Sequence, residues 1–382
     1  MIPSVSITGF NTGVRALRRL VKRCFLLLCA FIPAAAVVSG CARQSRIQNP
    51  RMTTANAVQP ESVPEQNKLV IFTSHKKEVY QPVIREFEER TGIWVEVTAG
   101  GTQEMLDQIR DDVDFGDVDL MFGGGVESLE AYKQSFAPYR AQDSSELDSH
   151  FLSSDNAWTP FTELPIVFIY NPKLVSLDHA PKDWQEFLDG TWKGQIAFAD
   201  PLHSGTSYTI LCTMMAVSGM QQDKLLDTFQ AQLDGQILSG SGDVLTAVAT
   251  GQCLVGITLE ESALKEIARG NDIAMVYPKS GTSALPDGCA ILQNAPHPDN
   301  AEKFIDFIIS EDTQEFAVES LYRRPVRQHI ALPEERQTFE LVPLDVVKTS
   351  REESEILSQW TQDAQNNANT QSAGDAGEEA AP

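Results

Sequence analysis

The residues best placed to do chemistry lie between Ile196 and Val217, where an apolar run, a polar turn and a second apolar run follow one another. Asp200 and Pro201 break the first run, and His203, Ser204, Gly205, Thr206 and Ser207 come immediately before the second. The pattern predicts a short buried strand, then a helix whose start carries three hydroxyls. A helix start holds amide N–H groups without internal partners and about half a positive charge from the macrodipole. Hydroxyls beside such amides make a seat for a phosphate or carboxylate. The competing reading is that one hydroxyl merely caps the helix. His203, Ser204, Thr206 and Ser207 supply more polar atoms than one cap uses, so the turn is read as a ligand seat.

The charge balance makes a local positive seat necessary for an anionic ligand. The chain carries a formal −23 over 382 residues. Its first forty residues hold Arg15, Arg18, Arg19, Lys22 and Arg23 and no acid, so removing five positive charges from −23 leaves −28. So acidic a surface repels nucleic acid and anionic lipid headgroups, and neither is expected as a partner. Arg15 to Arg23, the apolar Phe25 to Val38 and the small residues before Cys41 make an export signal. Val38-Ser39-Gly40-Cys41 resembles the lipobox of bacterial lipoproteins, which implies cleavage before Cys41 and a lipid anchor on its thiol, facing the cell exterior or periplasm. Of the remaining cysteines, Cys212, Cys253 and Cys289 fit either small buried residues or one disulfide with a thiol left over. Their spacing matches no metal site, and nothing in the sequence asks for a cofactor.

The elements that must position the seat follow in order. Residues 1–40 are the signal, and 41–67 read as a polar, flexible tether. Leu69 to Ser74, Ile93 to Val97 and Val118 to Phe122 read as strands, separated by a helix over Glu78 to Arg90 and another from Gln103. Such alternation predicts parallel βαβ units, whose ligands collect at the carboxyl ends of the strands. Ser74, His75 and the Gly123-Gly124-Gly125 run sit at those ends. Ile166 to Tyr170, Val255 to Leu259, Ile273 to Tyr277 and Gly288 to Leu292 read as further strands. Helices are expected over Glu260 to Arg269 and Pro298 to Ile309, with a last one over Glu353 to Gln365 and disorder over 366–382.

Phe72-Thr-Ser-His75, Leu120-Met-Phe-Gly-Gly-Gly125, Ala199-Asp-Pro-Leu-His-Ser-Gly-Thr-Ser-Tyr208, Gly256-Ile-Thr-Leu-Glu-Glu261 and Gly288 to Ile309 form an ordered set. From Leu69 to Arg327 the chain resembles the type II periplasmic solute-binding proteins of ABC importers, in the branch containing ferric-iron, sugar-phosphate, phosphoglycerate and aminoethylphosphonate receptors. The resemblance implies a monomer of two α/β lobes with mixed sheets, closing over a solute in the cleft and docking on a membrane permease. Lobe one is expected over 68–165 and 287–350, and lobe two over 166–286, with crossings near Leu164 to Asn171 and Ala284 to Ala290.

Iron receptors of this branch grip the metal with an adjacent tyrosine pair. Here Tyr208 stands alone, which points away from ferric iron and toward an organophosphate or phosphonate. Ser74 and His75 would donate from lobe one, with Gly124 and Gly125 letting the backbone approach. His203, Ser204, Gly205, Thr206 and Ser207 would hold the phosphoryl group from lobe two. Glu260 or Glu261 would accept from sugar hydroxyls or pair with an amine, unless they only complement a helix dipole. Glu163 reads as ligand or hinge latch, Arg323, Arg324 and Arg327 as solvated charges or ligand contacts, and His150 and His297 as surface residues. No Gly-x-Ser-x-Gly elbow or Walker loop supports an enzyme. The remaining alternatives are a ferric-iron receptor and a receptor reporting to a membrane histidine kinase.

Overall fold

Alternate residues of each strand face opposite sides of a sheet, and in this chain both sides are apolar. Strands β1 (Lys68–Thr73), β2 (Trp94–Ala99) and β3 (Leu120–Gly125) pair in parallel, β1 lying between the other two. β4 (Phe136–Ala137) and β5 (Thr159–Glu163) join through β10 (Pro286–Leu292), and β11 (Arg324–Pro325) pairs with β5, all antiparallel. Leu69, Ile71, Leu120, Phe122, Cys289 and Ile291 enter one core; Phe72, Met121, Ala290 and Leu292 enter another on the opposite face. Helices α1 (Lys77–Thr91) and α8 (Pro298–Ile308) cover the first face; α2 (Thr102–Asp111) and α3 (Val126–Ala131) cover the second. Phe87 and Phe304 meet edge to face at 5.1 Å, and Phe122 packs 5.2 Å from Phe304.

The computed structural model describes residues 63–111, 117–334, 336 and 338–378, with side chains to 362. The export signal, Cys41 and nearly all of the tether lie outside the described residues.

The second sheet is ordered β7 (Ile196–Ala197), β8 (Val255–Leu259), β6 (Ile166–Tyr170), β9 (Ala274–Val276). Only β7 and β8 run in parallel; β6 is antiparallel to both its neighbours. The sheets are therefore mixed, and the parallel βαβ reading holds for β1 to β3. Helices α4 (Gly205–Ser218) and α5 (Gln222–Leu233) pack on one face, and α6 (Ser241–Thr250) and α7 (Glu260–Ala268) on the other. The chain leaves the first sheet at Glu163 and enters the second at Ile166, with Leu164-Pro165 between. It returns into β10 at Pro286, and after β10 come α8, then α9 (Glu311–Leu321).

A third connection departs from the sequence reading. Helix α10 (Val346–Glu378) is longer than the helix expected over Glu353 to Gln365, and it continues through residues 366–378, where disorder was expected. No proline interrupts that stretch before Pro382, so nothing in it breaks the helix begun upstream. Ile356 and Trp360 are buried among Phe198, Phe229 and their neighbours, Gln230 Nε2 donates to the Trp360 carbonyl at 2.7 Å, and Tyr208 donates to the Thr349 carbonyl at 2.5 Å. The end of the region assigned to lobe one thus crosses to the core of the second sheet. Cys212, Cys253 and Cys289 are buried free thiols, so the disulfide alternative is not realised.

Candidate functional site

A cleft of about 280 Å³ lies between the two sheets. The lobe-one wall is made where β1 turns into α1 (Ser74, His75, Lys76), where β2 turns into α2 (Gly101, Thr102), and where β3 turns into α3 (Gly124, Gly125, Glu127, Ser128). The lobe-two wall is the start of α4 (His203, Ser204, Gly205, Thr206, Thr209), of α6 (Ser241) and of α7 (Glu261, Ser262). Five helices of nine or more residues, α1, α2, α4, α6 and α7, therefore begin at one cavity. Their exposed amides and macrodipoles favour negative charge there.

Glycine is required where the backbone of β3 approaches the cleft. Gly124 has φ +85°, and a Cβ there would come within 2.8 Å of Thr102 Cγ2. At Gly125 an added Cβ would collide with the Glu127 carboxylate, which folds back over the start of its own short helix.

The floor is a charged cluster. Asp287 Oδ1 accepts from the Thr162 amide at 2.9 Å and the Thr162 hydroxyl at 2.8 Å, while Oδ2 accepts from Arg323 Nη1. Arg323 Nη2 reaches to 4.0 Å from Glu261 Oε1 across the lobes, and Arg323 Nε is buried without a hydrogen-bond partner. Lys265 Nζ lies 2.5 Å from Glu261 Oε2. Burial alone would raise the Glu261 carboxyl, but Arg323 and Lys265 outweigh it and hold it below its ordinary value. Burial depresses His75 to about 4 against the opposing pull of Asp287, so its ring is neutral; Nε2 stands 3.5 Å from Asp287 Oδ2. Glu127 is only 2% exposed, and burial lifts its carboxyl to about 7. Thr209 of the opposite lobe donates to Glu127 Oε1 at 3.0 Å, and Oε2 has no partner.

Ser74, His75, Gly124, Gly125, His203, Ser204, Gly205 and Thr206 are thus brought together on the cleft wall. Three expected contacts lie elsewhere. Ser207 is buried, its amide and hydroxyl both donating to Ser204 Oγ at 3.2 and 3.1 Å, so this pair forms the helix cap. Glu260 is 1% exposed and accepts from Arg324 Nε and Nη2, each at 2.9 Å, from Tyr277, and from Arg336 at 3.4 Å. Successive residues of a helix point about a hundred degrees apart, so Glu261 faces the cleft and Glu260 the hinge behind it. Glu163 ends β5 beside Arg324, with its carboxyl lifted to about 7 by burial, and its neighbour Leu164 lines the cleft instead. His297 is also no surface residue: its Nδ1 lies 3.0 Å from the fully buried Asp119.

Sequence reasoning passed over Glu127, Thr209 and Asp287. An acid in a first helical turn reads as dipole complementation, and Asp287, between Pro286 and Gly288, reads as a turn residue.

Residues 117–376, well over half the chain, match the model of the bacterial extracellular solute-binding protein family. The chain belongs to that family. Relatives of it are described as periplasmic binding proteins, among them a probable ABC transporter periplasmic-binding protein of Sinorhizobium fredii. A Salmonella typhi relative named "Putative 2-aminoethylphosphonate-binding periplasmic protein" is 22% identical over 276 residues, covering 71% of this chain and 80% of that one. The fold matches the periplasmic binding protein AfuA from Actinobacillus pleuropneumoniae, described with exogenous fructose-6-phosphate bound. The TM-score is 0.71 at 22% identity, over 78% of this chain and 98% of that one. A ferric binding protein from Campylobacter jejuni matches with a TM-score of 0.69 at 20% identity, over 77% and 99%.

Proposed function

We propose that the cleft binds a small organophosphorus anion, a phosphate ester or a phosphonate, and that the protein delivers it to a membrane permease. The observation that carries this reading is the convergence of five helix amino ends on one cavity that Arg323 also lines. Amides, hydroxyls and a guanidinium are donors, and they complement phosphoryl oxygens. The three acids of the cleft do not cancel this field. Asp287 is paired with Arg323, Glu261 with Lys265, and Glu127 is about half protonated near pH 7. The free Glu127 oxygen can donate to an oxyanion when protonated, or accept from the amine of an aminophosphonate when ionised.

Ferric iron fits less well. Tyr208 spends its hydroxyl on the Thr349 carbonyl inside lobe two, and Tyr277 donates to Glu260 at the hinge. The names of the relatives allow all three cargoes, a phosphonate, a sugar phosphate and ferric iron. Export and a lipid on Cys41, read from the lipobox-like sequence, would hold the receptor at the membrane beside its permease.

A thermal-shift series with inorganic phosphate, 2-aminoethylphosphonate, 3-phosphoglycerate, fructose 6-phosphate and ferric citrate tests the reading. A ligand at a hundredfold excess over Kd stabilises by about 2.7 kcal/mol. One or more phosphoryl compounds should raise the melting temperature while ferric citrate does not. Stabilisation by ferric citrate alone would overturn the assignment.

A further inference from the structure

The cleft opens sideways into a second and larger cavity. Gly101, Thr102, Ser128, His203, Ser204 and Gly205 line both, and beyond them the space widens to about 820 Å³. Cavities of about 300–1,000 Å³ take whole organic ligands. A lone oxyanion or metal ion would use only the smaller space.

The larger chamber has its own wall chemistry. Gln103, Tyr132 and Gln134 of lobe one face Ser350, Glu353 and Leu357, which come from α10. The Tyr132 hydroxyl is taken up by Asp107 and Gln103, which leaves the Gln134 amide and the Ser354 hydroxyl to donate and accept as sugar hydroxyls do. Glu353 makes no hydrogen bond or ion pair among the described residues, leaving its oxygens able to accept from hydroxyl donors. The α10 wall is held firmly, because Trp360 is 1% exposed in the core of the second sheet and the Tyr208 hydroxyl ties down Thr349.

We propose that this chamber is a second subsite of the same binding site, one that takes the polyhydroxylated body of a phosphoryl ligand whose head group sits in the cleft. The cargo is then a molecule of the sugar-phosphate class, and α10 is part of the receptor's specificity. This rests on the phosphoryl reading of the cleft given above.

Calorimetric titrations with inorganic phosphate, 2-aminoethylphosphonate, glucose 6-phosphate and fructose 6-phosphate test it, on the unaltered protein and on Ser354→Trp and Ser350→Trp. Both serines line the chamber and neither lines the cleft. Ser354 is exposed on α10, so its replacement leaves the core alone. At least one hexose phosphate should bind the unaltered protein a hundredfold or more tighter than inorganic phosphate. Each tryptophan should weaken the hexose phosphate at least tenfold and leave inorganic phosphate within twofold. Equal affinities for phosphate and both hexose phosphates, or tryptophan variants that bind the hexose phosphates unchanged, would overturn the second subsite while leaving the phosphoryl reading intact. Failure of every phosphoryl compound to bind would remove both.

Discussion

Replacing Glu127 by glutamine should stabilise the protein above pH 7 and do much less at pH 5. Burial lifts this carboxyl from 4.5 to about 7, so the folded chain keeps a proton that the unfolded chain releases. Below pH 4.5 both states are protonated and the group contributes nothing. As pH rises from 4.5 to 7 the unfolded state binds fewer protons, so stability falls, and above 7 the loss is complete. At 1.36 kcal/mol per unit, about 2.5 units corresponds to roughly 3 kcal/mol. Glutamine has the same shape, still accepts from Thr209 and does not titrate. His75, held down at about 4, loses stability in the opposite direction as pH falls through 6.5 toward 4, but it does so in both proteins and cancels in the difference. Urea denaturation of Glu127→Gln and the unaltered protein at pH 5 and pH 8 should give a stability difference that grows by about 2–3 kcal/mol between the two. A difference independent of pH would mean that Glu127 titrates as an ordinary solvated acid, and the picture of a dry cleft floor would be wrong.

Further outcomes follow from the same geometry. Glu260→Ala leaves Arg324 and Arg336 buried without their carboxylate, and should cost about 3–5 kcal/mol in urea denaturation; a change under 1 kcal/mol would contradict its role at the hinge. Gly124→Ala forces a side chain into a left-handed backbone 2.8 Å from Thr102, and calorimetry should show ligand affinity down at least tenfold in a protein that still folds. Burial raises Cys212 to about 12 and Cys289 well above its ordinary value. A form starting at Ala42 should therefore release no colour with a thiol reagent when folded and react at Cys212, Cys253 and Cys289 in denaturant; fast reaction of the native form would refute their burial. Labelled palmitate fed to cells should enter the unaltered protein and not Cys41→Ser, and equal labelling of the variant would contradict the lipid anchor on that thiol.

Much of the framework is legible in local sequence because apolar runs and glycine stops are local signals. Leu69 to Phe72 and Leu120 to Phe122 announce buried strands, and Gly92 and Gly219 end their helices with φ of +70° and +63°. The start of α4 was legible too, since Ser204 and Thr206 advertise a helix entry before a long apolar run. The cap and the ligand seat were harder to separate: Ser207 differs from Thr206 only in which way the first turn points it. Glu260 and Glu261 could be distinguished only by knowing where Arg324 and Arg323 come in the fold, 64 residues from Glu260 in the first case. Trp360 was illegible for the same reason. Its anchoring depends on Phe198 and Phe229, brought to it from distant segments, and nothing around Trp360 in sequence indicates which lobe it joins.

The most direct measurement of the central claim is diffraction from crystals of the protein soaked separately with fructose 6-phosphate and 2-aminoethylphosphonate. The account predicts a phosphorus atom in the cleft in at least one of them, its oxygens accepting from the amides of Gly205 and Thr206 and from Arg323. A phosphoryl group seated elsewhere, or a cleft that excludes both compounds and takes up ferric iron instead, would contradict it.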